Sequence, residues 1–126
     1  MTLLDTDTLS LLMHGHARVT ERVRQHPDVT ITVVSRIEAL QGRFSYLLKA
    51  PNGAELVRAQ DWLDQHEAYL RGFPIVPIDA GAAAEFDKLR QNTKLKKIGR
   101  ADLLIASIAM AHRATWLRAI SSTFAW

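Results

Sequence analysis

The chain has 126 residues, 48% of them hydrophobic, a size and apolar content that suit one compact domain and exclude a disordered chain. It has no cysteine, which excludes disulfides and thiolate metal sites and fits a reducing cytoplasm. The net charge of +3 permits a polyanionic partner without requiring one.

Thr2-Leu3-Leu4 reads as a short buried strand that runs into the polar turn Asp5-Thr6-Asp7. Those two acids interrupt the first apolar stretch and no basic region precedes it, so no signal peptide is expected. No uncharged apolar run reaches the roughly 18 residues of a membrane span, so no membrane association is expected. A helix is expected over Thr8 to Met13, and an exposed amphipathic one over Val19 to Gln25, broken by Pro27-Asp28. Val29 to Ser35 is rich in β-branched residues and predicts a strand. Ser35 followed by Glu38 has capping-box spacing, which predicts a helix from there to about Leu48.

Pro51-Asn52-Gly53 predicts a turn, and Ala54 to Arg71 a helix with Leu56, Val57, Ala59, Trp62, Leu63 and Leu70 as its apolar positions. That helix and the early one are the expected source of a hydrophobic groove and dimer face. Phe73 to Ile78 predicts a third strand, and its two prolines favour a sheet edge. Asp79 is expected to cap the helix of Ala80 to Gln91. Asn92 to Gly99 is a basic loop, Ala101 to His112 an apolar helix expected to be buried all round, and Thr115 to Ala119 a last short strand. The alternation of strands and helices predicts an α/β domain with a mainly parallel sheet, in which ligands sit beyond the carboxyl ends of the strands.

Three acids fall near that edge. Asp5 follows β-strand residues directly, where a buried charge needs a partner or a cation, although a turn or helix cap explains it about equally well. Glu38 is accounted for by the capping box when taken alone. Asp102 opens the apolar helix, where it complements the helix dipole, yet the cap position falls a residue or two earlier. Together the acids form a hard oxygen set suited to Mg²⁺ or Mn²⁺, the chemistry of phosphodiester hydrolysis. The run Lys88, Arg90, Lys94, Lys96, Lys97, Arg100 leads into Asp102; it is either a solvated loop or a surface for a phosphate backbone. Asp7 is a supporting residue or a turn residue. The five histidines, His14, His16, His26, His66 and His112, are expected in surface roles, and Trp62, Tyr69, Phe73 and Phe86 in core or interface roles.

Three segments carry a family resemblance. Leu3-Leu4-Asp5-Thr6-Asp7-Thr8-Leu9 resembles the opening motif of PIN-domain toxins of the VapC class. Ser35 to Gly42 resembles their second motif, with Glu38 at its glutamate, and Ile98 to Ala106 their third, with Asp102 at the acid that opens a buried helix. The order and spacing match over about Leu3 to Thr115.

The resemblance implies a three-layer α/β/α sandwich with a central, mainly parallel sheet of about five strands. It implies Mg²⁺- or Mn²⁺-dependent cleavage of RNA, often structured RNA such as transfer RNA, by Asp5, Glu38 and Asp102, with Thr6 holding the first motif in place. It also implies a cognate antitoxin and a homodimer.

The last stretch departs from the family pattern. Ile120 stands where an asparagine or aspartate is expected, with Ser121 and Ser122 as possible replacements, and the chain stops at Trp126, short of the family's usual tail. The alternative reading is therefore a weakened PIN scaffold that binds antitoxin or RNA without efficient cleavage. A phospho-acceptor receiver domain ranks lower, because it wants a lysine after the last strand and none follows Lys97.

Overall fold

Leu3 and Leu4 are neighbours in the chain and point to opposite faces of one sheet, as successive residues of a strand must. Both are fully buried, so both faces of the sheet are covered. The computed structural model describes residues 1–118. Its elements in chain order are β1 (Thr2–Leu4), α1 (Thr6–Met13), α2 (Ala17–Arg24), β2 (Val29–Thr32), α3 (Val33–Leu48), α4 (Gly53–Leu70), β3 (Ile75–Val76), α5 (Ala80–Arg90), a short 3₁₀ turn (Thr93–Leu95), α6 (Arg100–Ala111) and β4 (Thr115–Leu117).

The strands form one parallel sheet in the order β3-β2-β1-β4. β1 is central, with Leu3 opposite Thr30 on one side and Trp116 on the other. On one face Leu3 packs with Val76, Ala82, Ile108 and Ala109, which brings in α5 and α6. On the other, Leu4 packs with Leu9, Ile31, Leu70 and Leu117, which brings in α1 and α4. The result is the expected α/β/α sandwich. Four strands are described where the resemblance implies about five, and residues 119–126 lie outside the described ones.

Several boundaries differ from expectation for identifiable reasons. β2 ends at Thr32 rather than Ser35, because the Thr32 hydroxyl accepts from Ser35 N at 3.1 Å and starts α3 at Val33 with no intervening loop. Val33 and Val34 read as strand by propensity, and the cap overrides it. Glu38 is therefore not part of a capping box, and its carboxylate is available for other contacts. The third strand shrinks to Ile75–Val76, since neither Pro74 nor Pro77 has an N–H to donate; its edge position agrees with the prolines. Asp79 caps α5 as expected, accepting from Ala82 N at 2.8 Å. α6 is not buried all round: Leu103, Ile105, Ser107, Ile108 and Ala109 are buried, while Asp102 and Met110 face solvent. Among the described residues no helix is long and apolar enough to cross a membrane.

Candidate active site at the carboxyl edge of the sheet

β1 runs out at Leu4, and Asp5 takes the N-cap of α1: its Oδ1 accepts from Thr8 N at 2.8 Å. The cap and site readings of Asp5 are thus compatible, since the cap uses one oxygen. The other, Oδ2, lies 3.9 Å from Arg118 Nε. Asp5 is buried, and burial pushes its carboxyl above the usual value of 3.8; the Thr8 hydrogen bonds oppose the rise, the Asp7 charge adds to it, and Arg118 opposes it least. The surrounding backbone is tied down from β4, because the Leu117 carbonyl accepts from Asp5 N at 3.3 Å and from the Thr8 hydroxyl at 3.2 Å.

A chain of hydroxyls links this loop to α3. The Thr6 hydroxyl donates to Glu38 Oε1 and lies 3.2 Å from Ser35 Oγ. Ser35 Oγ in turn lies 3.4 Å from Thr32 Oγ1, and both residues are fully buried. This places Glu38, on the second turn of α3, beside the residue that follows Asp5. Ser35 is not the cap that its spacing from Glu38 predicts but a buried link between Thr32 and Thr6.

Asp102 is on the first turn of α6, whose N-cap is Gly99 with no side-chain cap bond. It is not a cap, and it is exposed. α6 ends near the start of β1, where Thr115 N donates to the Met1 carbonyl at 3.0 Å, so its amino end is directed toward the carboxyl edge of the sheet. The structure thus joins Asp5 and Glu38 through Thr6, while Asp102 is directed to the same edge without a hydrogen bond to either. Among the described residues no group of three or more His, Asp or Glu is close enough to hold an ion. The donor chemistry suits a hard divalent cation, with carboxylates only and one of them desolvated, but the three-acid grouping is not assembled.

Asp7 is exposed on the first turn of α1. Lys94, Lys96, Lys97 and Arg100 are all exposed, and the Arg100 guanidinium lies 5.1 Å from the Phe86 ring centre. Ile120, Ser121 and Ser122 lie outside the described residues. Arg118 was not anticipated, because nothing in local spacing links it to an aspartate at the other end of the chain. A groove of about 430 Å³ between α3, α4 and β3, lined by Arg36, Leu40, Glu67, Leu70, Arg71 and Phe73 among others, contains none of the three acids.

His14, His16 and His112 are exposed, as expected, whereas His66 is more buried and the aromatics of α4 are more exposed than the sequence predicts. His16 caps α2, its Nδ1 accepting from Val19 N at 3.3 Å. His66 Nδ1 is buried, and burial, Arg43 and His14 hold the ring's pKa below its usual value. Trp62 and Tyr69 are partly exposed on α4, and Tyr46 stacks on Trp62 at 5.4 Å between ring centres.

The PIN domain family profile matches residues 2–119. No curated protein matches the chain. Solved structures do. A chain of FitAcB from Neisseria gonorrhoeae is similar at 28% identity and a TM-score of 0.68, over 92% of this chain and 85% of that one. A chain of the toxin–antitoxin complex from Klebsiella pneumoniae is similar at 21% identity and a TM-score of 0.70, over 92% and 83%. A chain of VapBC2 from Rickettsia felis, bound there to a promoter DNA fragment, is similar at 23% identity and a TM-score of 0.67, over 91% and 84%. A profile match across nearly the whole length, on a parallel sheet with acids at its carboxyl edge, establishes that this chain belongs to the PIN domain family.

Proposed function

We propose that the chain is the toxin of a toxin–antitoxin pair and a metal-dependent endoribonuclease that hydrolyses the phosphodiester backbone of RNA, the whole chain acting as a single PIN domain. The observation that supports this reading most is the Thr6 hydroxyl bond to Glu38, which ties that acid to the residue after Asp5 at the edge where parallel α/β sheets bind ligands. Asp5, Glu38 and Asp102 would hold Mg²⁺ or Mn²⁺. When bound, such an ion lowers the pKa of water and stabilises charge developing at phosphorus. The protein's own part is positional. Thr6 orients the Glu38 carboxylate, Thr8 N orients that of Asp5, and Asp7 supports the loop. Lys94, Lys96, Lys97 and Arg100 bind the RNA backbone next to Asp102.

A cognate antitoxin is the proposed protein partner, supported by the likeness to chains from VapBC2 and from the Klebsiella complex. A homodimer is proposed as well, supported by exposed Leu56, Val57, Trp62 and Tyr69 on α4. Structured RNA such as transfer RNA is the proposed substrate, and the cytoplasm the proposed location.

A second reading, a PIN scaffold that binds antitoxin or RNA without efficient cleavage, is favoured by Ile120 at the position of the family's amide or acid. One experiment separates the two. Purified protein is incubated with total RNA in EDTA and in added Mn²⁺, beside Asp5→Asn. Cleavage that needs metal and Asp5 supports the nuclease. RNA left intact under every condition supports the scaffold.

A further inference from the structure

The two oxygens of Asp5 have different partners. Oδ1 is committed to Thr8 N at 2.8 Å, and Oδ2 faces Arg118, whose Nε lies 3.9 Å away. The guanidinium also sits over the Trp116 ring, 4.6 Å from its centre. Its backbone is fastened to the same loop, since the preceding carbonyl, Leu117 O, accepts from both Asp5 N and the Thr8 hydroxyl. The side chain is 53% exposed. Arg118 therefore has a fixed root, a stacking surface and open solvent around its head. An arginine keeps its charge at every working pH, so a cation approaching Oδ2 meets a permanent positive neighbour.

We propose that Arg118 is a built-in cation of the Asp5 site, facing from 3.9 Å the carboxylate oxygen a divalent ion would use, so that metal binding has to push the guanidinium aside. This rests on the metal-dependent reading above. A doubly charged ion and a guanidinium cannot share one carboxylate oxygen without strong repulsion, even at the moderate effective dielectric of a half-exposed site. The displaced guanidinium, its side chain already 53% exposed, swings out into solvent, where it meets an incoming phosphate. The consequence is a site with weak metal affinity in the free protein. It fills more readily once a polyanion draws Arg118 away.

The test measures Mn²⁺ binding by calorimetry, without RNA and at fixed ionic strength, for the full chain and for Arg118→Gln, Arg118→Ala and Arg118→Lys. Thermal unfolding in EDTA confirms that each variant is folded. Removing the charge should tighten Mn²⁺ binding by ~10-fold or more, while Arg118→Lys stays near the parent affinity. Adding Asp5→Asn to Arg118→Gln should abolish the gain. Equal or weaker Mn²⁺ binding by both neutral variants overturns the proposal and leaves the metal-dependent reading standing. Undetectable Mn²⁺ binding by the parent and by both neutral variants overturns the two together.

Discussion

The Thr6 hydroxyl donates to Glu38 Oε1, so the residue that follows Asp5 on the loop after β1 sets the position of an acid on α3. The bond crosses from one element to another and joins two motifs far apart in the chain. Thr6→Val keeps the shape of the side chain and removes the donor. RNA cleavage should fall by one to two orders of magnitude, while unfolding free energy drops by only about 1 kcal/mol, since water reaches the half-buried carboxylate. Parental cleavage rates in Thr6→Val would show that Glu38 needs no such support.

Asp5→Asn separates catalysis from stability. The amide oxygen can still accept from Thr8 N, so the α1 cap survives, while the desolvated negative charge is gone. RNA cleavage should be lost. The folded-state pKa of Asp5 is raised above 3.8, so between that value and the raised one the folded protein holds more protons than the unfolded chain. Stability from this group therefore decreases as pH rises through that window and stays low above it. In metal-free buffer Asp5→Asn should melt above the parent at pH 7, and the gap should close as the pH falls toward 3.8. Melting curves in EDTA across that range check the sign; a parent that melts higher than Asp5→Asn at neutral pH contradicts it.

Asp102→Asn should behave differently. Asp102 is exposed, makes no cap bond and shares its helix with a buried face that does not involve it. Among the described residues its structural contribution is to the helix dipole, about 0.5 kcal/mol. Cleavage should be abolished with a nearly unchanged melting temperature. A large drop in stability would mean that the carboxylate has a structural role, and unchanged cleavage would remove it from the site.

Replacing Lys94, Lys96 and Lys97 together by alanine should weaken RNA binding without altering the fold, since all three are exposed. The loss should be greatest at low salt. For single-stranded RNA the slope of log K against log salt should become shallower by about 0.7 for each phosphate contact removed. An unchanged slope in filter-binding titrations would assign this loop to solvent.

Much of the fold was legible because it rests on local pattern. Leu3 and Leu4 announced a buried strand, Asp79 a helix cap, and Pro74 and Pro77 a strand at the edge. The start of α3 was not, since Val33 and Val34 favour a strand until the Thr32 hydroxyl captures Ser35 N. That shift of three residues changes the meaning of Glu38 from capping residue to the acid held by Thr6. The three motifs single out Asp5, Glu38 and Asp102. What local spacing cannot carry is an interaction between chain ends, and the meeting of Arg118 with Asp5 is of that kind. The solvent-facing side of α6 was hidden for another reason: small and apolar residues on every face mask which of them the sheet covers.

β3 pairs through only two residues, with Pro74 before it and Pro77 after. A row of free amides along a sheet margin is what recruits a second molecule into a growing fibril, and this margin offers very few. On that side the sheet is protected against end-on polymerisation when the protein accumulates. A substitution such as Pro77→Val, harmless to the core, would be expected to surface as aggregation rather than as lost folding.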